Sequence, residues 1–282
     1  MTTVLTVASL TLQEAARRRV LLALAAMTLA LLTLSAWGFS RLDAEFATLT
    51  SGEARLAAAQ VLNLVMFGLS LIAALGTAFL AGPTLAGEIE SGAALAVLAR
   101  PIRRSAVLAG KWLGLVAFGG GFVAMAGLTQ FVIVWVTVDY WPPQPLAGLA
   151  LLAAQTTVLL TLGLLLSTVI SPMASGIVAV GLFGTTWIAG VVGWVGQTLG
   201  NAGVARVGTV SQMLLPTDGL WRGAMHAFQD PAVLTQFGGP ALQGGSPFLS
   251  AAPLTTAYLA WTGLWVVLVL GLAAVAFQRR DL

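Results

Sequence analysis

The sequence predicts an all-α integral membrane protein, and three observations predict it. Charge is scarce: 58% of the 282 residues are hydrophobic and only 8% are charged, against roughly a quarter charged in a soluble globular chain. Uncharged runs recur at Leu56–Gly87, Trp112–Val138, Tyr140–Ala205 and Pro231–Gln278, each longer than the roughly 20 residues that carry a helix across a bilayer. A transmembrane β-barrel would instead alternate over segments of about 10 residues, and these runs do not.

Taken in order, the stretch TVASLTLQEAARRRV places Val4, Val7, Thr11 (or Leu12) and Ala15 at helical spacing, with the polar residues elsewhere. That predicts an amphipathic helix over residues 1–19, lying on the membrane surface. The apolar run Val20–Phe39 exceeds the roughly 7 to 15 residues of a secretory signal core, so it reads as an uncleaved first span, 20–39. Span two follows at 61–82 and span three at 112–138. Asp139 and the Trp141–Pro145 cluster then make a rigid turn with an interfacial aromatic. Ser171-Pro172 divides the next run into spans four (148–170) and five (174–198). A Gly-, Pro- and Gln-rich outer segment, 199–253, precedes span six at 254–277. The chain reads as a single transmembrane domain of six helices.

Six spans place both ends on one side, and the basic residues say which. Arg17, Arg18, Arg19, Arg100, Arg103, Arg104, Lys111, Arg279 and Arg280 fall on one face, and only Arg41, Arg55, Arg206 and Arg222 on the other. The excess of Lys and Arg marks the cytoplasmic face. The reading is a multi-pass protein of the cell (inner) membrane with both termini cytoplasmic. The net charge of +3 is explained by lipid headgroups, without a nucleic acid partner.

Several chemistries are excluded. The chain has no cysteine and one histidine, His226, which leaves no set of metal ligands and no thiolate nucleophile. Ser175 and His226 fall at opposite membrane faces, so no intramembrane serine protease is built. Gly110-Lys111 is the sole Gly-Lys pair and fails as a phosphate-binding loop, because Ser105 stands at the first glycine and Trp112 replaces the hydroxyl. No ionisable residue falls at mid-membrane, where a proton- or sodium-coupled carrier would place one. No cofactor is expected on this chain. The polar residues inside the spans, Asn63, Gln130 and Gln155 foremost, bond between helices or line a translocation path. His226 reads as an exposed surface residue, on a helix from PTDGLWRGAMHAF (216–228) that Thr217 or Asp218 caps and that lies half-sunk in the outer interface.

Charge clusters densely only in GEIESGAALAVLARPIRRSAVLAGKWLG, residues 87–114. Ser91 can cap a short helix with Gly92–Ala99 as its body. Glu88 and Glu90 then complement the positive end of its dipole and Arg100 the negative end, while Pro101 starts a new element. Leu95 and Leu98 form an apolar stripe. Arg103, Arg104 and Lys111 share a face on the following helix and, with Arg17, Arg18 and Arg19, would meet lipid headgroups. This physics fits either an interfacial connector or a docking helix for a soluble partner.

The pattern Glu88-x-Glu90-Ser91-Gly92-x-x-Leu95-x-x-Leu98-x-Arg100-Pro101-x-Arg103 followed by Gly110-Lys111 resembles the segment between spans two and three of exporter-type (ABC-two class) ABC transporter permeases. Relatives of the permease in the nitrous-oxide-reductase maturation transporter are among them. This chain carries Ala93-Ala94 where Thr-Leu is usual. The six-span plan, the N-terminal helix and Leu215–Arg222 extend the likeness over the chain. The resemblance implies that Ser91–Arg100 is a coupling helix seated on a separate cytoplasmic ABC ATPase. It further implies two copies of that ATPase, which would hold the ATP and Mg, and a second permease copy or close homologue. Short helices before the last span would re-enter the outer membrane layer. A six-span carrier or scaffold not driven by ATP is the alternative.

Overall fold

The structure is a computed structural model that describes residues 2–46, 50–90, 103–237, 239, 247–250 and 252–279. Among the described residues are ten helices and no strand: α1 (Thr2–Arg17), α2 (Arg19–Phe46), α3 (Ser51–Glu90), α4 (Arg104–Val138), α5 (Pro145–Ser167), α6 (Pro172–Thr198), α7 (Ala202–Leu214), α8 (Thr217–Phe228), α9 (Pro231–Phe237) and α10 (Thr256–Arg279). Six of them, α2 to α6 and α10, are long and apolar enough to cross a membrane. The fold is an all-α bundle with both chain ends at one end of it, here called the terminal end.

Prolines set several boundaries. Pro145 and Pro172 open α5 and α6 at the first helical turn, where the missing N–H has no intrahelical acceptor to lose. Asp139 closes α4 at φ 50°, its N–H donating to the Trp135 carbonyl at 3.0 Å. A short acidic side chain tolerates this left-handed conformation. Gly200 takes φ +66° in the turn after α6, and Asn201 caps α7 by accepting from the Gly203 and Val204 amides at 3.1 and 3.2 Å.

Three helices run well past their predicted spans, the first being α2, which continues beyond residue 39 to Phe46. α3 is 40 residues long and continues through Pro83 to Glu90, where the sequence predicts a span ending near residue 82. A proline inside a helix removes one hydrogen bond. Here the ladder continues because neighbours hold both sides of the site: any Cβ on Gly82 would lie 2.4 Å from the Pro172 carbonyl oxygen, so α6 packs directly on the α3 backbone. α4 likewise begins at Arg104, ahead of the expected start near residue 112.

The helix α1 differs from its expected setting. Its stripe of Val4, Val7, Thr11 and Ala15 does not face lipid but packs along α4. Gly110 sits against Val4 and Val7, and Gly114 against Ala8 and Thr11, so closely that a Cβ at either glycine would come within 2.9 Å of them. Small residues four apart open the groove that lets two helix backbones approach. Leu5, Leu10 and Leu12 remain exposed, at 64%, 58% and 38%, and are the large apolar residues of α1 left for a membrane surface.

The segment read as a half-sunk surface helix is also different. In α8 ten of twelve residues are buried. Leu220, Trp221, Ala224, Met225 and Phe228 face the bundle core as their spacing predicts. The opposite side is built from Gly219, Gly223 and Ala227, small enough for a second layer to close over it: Gly219 meets the Tyr258 ring and Gly223 meets Leu254 and Leu151. Neither Thr217 nor Asp218 caps the helix, since the cap position is Pro216 without a side-chain bond. His226 is half-buried, with Nδ1 at 3.1 Å from the Ser250 carbonyl oxygen, rather than exposed.

Candidate functional site

At the terminal end, α3 and α4 extend past the turn between α5 and α6. The α5–α6 turn lies level with Gly82, because Gly82 touches the Pro172 carbonyl. The eight residues of α3 beyond Gly82 therefore extend roughly 12 Å further at 1.5 Å per residue. α4 returns antiparallel beside them, α1 lies along α4, and the last turn of α10 closes the other side. Leu80, Leu85, Leu108, Leu115, Ala15 and Phe277 form the apolar centre of this platform.

Two basic residues lock it. Lys111 is 5% exposed, and its Nζ donates to the Thr84 carbonyl at 2.7 Å, tying α4 to α3 one residue beyond Pro83. Arg104 donates through Nη1 to the carbonyls of Phe277 and Gln278, both at 3.3 Å, so it closes the C-terminus of α10. Both were expected at lipid headgroups. Lys111 is turned inward instead, where a buried ammonium requires a hydrogen-bonded partner, and the half-buried Arg104 reaches the end of α10. Arg17 and Arg19 are exposed, Arg18 is half-buried and paired with Glu14, and Arg103 is exposed where α4 begins. Glu88 and Glu90 lie on the last turn of α3. Ser91, Gly92, Leu95, Leu98, Arg100 and Pro101, on which the docking helix was read, lie outside the described residues. The platform places the two ends that carry this segment side by side.

At the far end, α7 and α8 form a hairpin that re-enters the bundle. α7 runs back along α6, with Gly193 against Gly208 and Gly196 against Ala205. The turn at Pro216 reaches mid-helix, where the hydroxyls of Thr217 and Thr186 lie 3.0 Å apart. A helix ending inside apolar surroundings leaves carbonyls without donors. Three aromatic side chains on one face of α10 supply them: Tyr258 Oη donates to the Gln212 carbonyl at 3.0 Å, Trp261 Nε1 to Met213 at 3.1 Å and Trp265 Nε1 to Leu214 at 2.8 Å. The signal was in the sequence, in three aromatics with polar handles at i, i+3 and i+7, and hydropathy alone passes over it. Trp265→Phe is expected to lower stability by about 1–2 kcal/mol, the cost of leaving a buried carbonyl unpaired. Trp261→Phe, at a wetter position, should cost less. Thermal unfolding in detergent checks the order, and equal losses would contradict it.

The hairpin also contains a buried ion pair. The Asp218 side chain is 1% exposed, and its Oδ2 accepts from Arg222 Nε at 2.9 Å and from Gln212 Nε2 at 2.7 Å. Gly190 of α6 presses on the carboxylate so closely that a Cβ there would lie 2.2 Å from Oδ2. Nearby, Tyr140 Oη donates to the Phe228 carbonyl at 2.6 Å. Burial, reinforced by the Asp230 carboxylate, pushes the Tyr140 phenol well above its ordinary value, so it stays a neutral donor.

Asn63, Gln130 and Gln155 each bridge to another segment. Asn63 Nδ2 donates to the Phe248 carbonyl at 3.0 Å, Gln130 Nε2 to Ser35 Oγ at 2.7 Å, and Gln155 Oε1 accepts from Ser70 Oγ at 2.9 Å. The oxygens of Asn63 and Gln130 are buried without a partner among the described residues. Ser175, the superficial nucleophile, bonds its own Pro172 carbonyl at 2.9 Å. No group of three or more His, Cys, Asp or Glu that could hold a metal occurs among the described residues.

A six-span helical bundle with a re-entrant hairpin at one end and tied helix ends at the other is the architecture of a multi-pass membrane protein. The sequence profile of the ABC-2 family transporter proteins matches residues 5–282. The chain belongs to that family, whose members are the transmembrane permease component of ABC transporters and act with an ABC ATPase subunit. A comparison with curated proteins finds no match.

Proposed function

We propose that this permease is the membrane-spanning subunit of an ATP-driven exporter, coupled to a separate cytoplasmic ATPase through residues 88–104. The observation that carries the reading is the terminal-end platform. α3 and α4 project together, and Lys111 and Arg104 fasten them to each other and to α10. A force applied to the segment joining them passes into three spans as into one lever. In this reading Leu95 and Leu98 form the apolar contact with the ATPase, and Glu88, Glu90, Ser91, Gly92, Arg100, Pro101 and Arg103 shape and orient that segment. Arg17 and Arg19 hold the headgroups of the inner membrane, with both termini cytoplasmic.

The assembly is two permease copies, or this chain with a close homologue, on two ATPase subunits that hold ATP and Mg. ATP closes the ATPase dimer, the coupling segments move with it, and the paired bundles shift access toward the far end. The equilibrium shifts because the ATPase contacts the coupling segment differently in its two states. The narrower likeness to the nitrous-oxide-reductase maturation permease rests on Glu88–Lys111 and belongs to this proposal.

The test is purification of the tagged chain from native membranes in a mild detergent. A Walker-motif ATPase should co-purify and hydrolyse ATP. A folded, inserted chain that comes away from its membranes with no such ATPase would support the carrier or scaffold reading instead.

A further inference from the structure

Four arginines lie at the far end of the bundle, and three have visible occupations. Arg41 stacks over the Trp37 ring at 6.0 Å. Arg55 shares a surface hollow with Asp139 and Asp230. Arg222 is paired with Asp218. Arg206, on α7, is exposed and has no hydrogen bond or ion pair among the described residues. It stands instead at the edge of a cleft of about 610 Å³ between α6, α7 and α10, whose walls are almost entirely apolar.

The dimensions of that cleft are those of a lipid chain. Gly193 packs on Gly208 and Gly196 on Ala205, so Arg206 is level with a point between those two glycines of α6. The cleft extends from there to Leu182, a distance of roughly 18 Å at the helical rise. Half of a bilayer's hydrocarbon core is about 15 Å. Val207, Val210 and Leu214 on α7 line one side, and the Trp265 ring forms part of the floor. The hydroxyls of Thr185 and Thr186 are turned to carbonyls of α6, at 2.8 Å each. The remaining polar chemistry is the Ser211 hydroxyl on the wall and the Arg206 guanidinium at the mouth, the one charged group, which can take a phosphate through two parallel N–H donors.

We propose that this cleft binds one anionic phospholipid of the surrounding membrane, with its phosphate on Arg206 and an acyl chain along Val207, Val210 and Leu214. Charge complementarity selects the headgroup, and the apolar walls select the chain. The occupant wedges the re-entrant hairpin against α6 and α10. The inference does not depend on coupling to an ATPase, and its test needs none.

The full chain, purified in detergent, would be mixed with phosphatidylglycerol or phosphatidylcholine and examined by native mass spectrometry. The wild-type chain should retain one phosphatidylglycerol in preference to phosphatidylcholine by about tenfold, the size of one charge-assisted contact. Arg206→Gln, at an exposed position, should abolish the preference while leaving the unfolding temperature unchanged in lipid-free detergent. Val210→Trp, which fills the cleft, should abolish retention of both lipids. Equal retention of the two lipids by the wild-type chain would overturn the proposal, as would an undiminished preference in Arg206→Gln. The chain has no cysteine, so ready disulfide dimerisation of Val210→Cys would show a second copy seated there and would also overturn it.

Discussion

Replacing Asp218 with alanine is expected to lower the stability of the bundle by about 3 kcal/mol, the usual cost of removing one partner from a buried ion pair. The carboxylate is the centre of three contacts: it orients Arg222, accepts from Gln212 of α7, and lies against Gly190 of α6. Its loss leaves a guanidinium and an amide without their acceptor and opens a void where α6 touches the hairpin. Asp218→Asn keeps the shape and one acceptor and should lose less than half as much. Gly190→Ala drives a methyl into the same carboxylate and should cost roughly 1–3 kcal/mol through overpacking. The measurement is unfolding in detergent of Asp218→Ala, Arg222→Ala and the double variant. The double variant should be more stable than the sum of its parts predicts, because removing both charges leaves neither one stranded. Additive losses, or an Asp218→Ala chain within about 0.5 kcal/mol of wild type, would remove the ion pair from the account of the hairpin.

The second large effect is expected at the coupling segment. Leu95→Asp/Leu98→Asp places two carboxylates on the only apolar stripe between Glu90 and Pro101. Burying unpaired charge at a protein interface costs several kcal/mol, so contact with the ATPase should be lost. Insertion should survive, because the substitutions lie outside every predicted span. ATP hydrolysis stimulated by the permease should fall by about tenfold or more, at 1.4 kcal/mol per decade, while membrane levels of the variant stay near normal. Normal assembly and normal stimulation in the double variant would place the coupling contact elsewhere.

Hydropathy located the helices of this fold well and their ends poorly. The six spans are legible because water and lipid sort side chains over about 20 residues at a time. The projections of α3 and α4 are not, because Pro83 and the charges at Arg103, Arg104 and Lys111 look like the end of membrane-embedded structure. Arg104 and Lys111 are held by protein carbonyls instead. A sequence shows that Lys111 is basic, but not that the Thr84 carbonyl will lie against it. The α8 helix teaches a related lesson. Its large apolar face was evident, and the Gly219, Gly223 and Ala227 stripe that lets its other side be buried was equally present. The stripe has meaning only once Tyr258 and Leu254 are known to lie opposite. Asn63, Gln130 and Gln155 were legible as polar positions within spans, while their partners came from residues 35 to 248, far apart in the chain.

The most direct test of the central claim uses the chain's lack of cysteine. A single Leu95→Cys substitution supplies a unique thiol in the coupling segment, which a short bifunctional reagent can join to whatever protein lies against it. In native membrane vesicles the thiol should cross-link to a Walker-motif ATPase, with a yield that changes when ATP binds. A thiol that reacts from the far side of the membrane, or that joins no ATPase in any nucleotide state, would contradict the account.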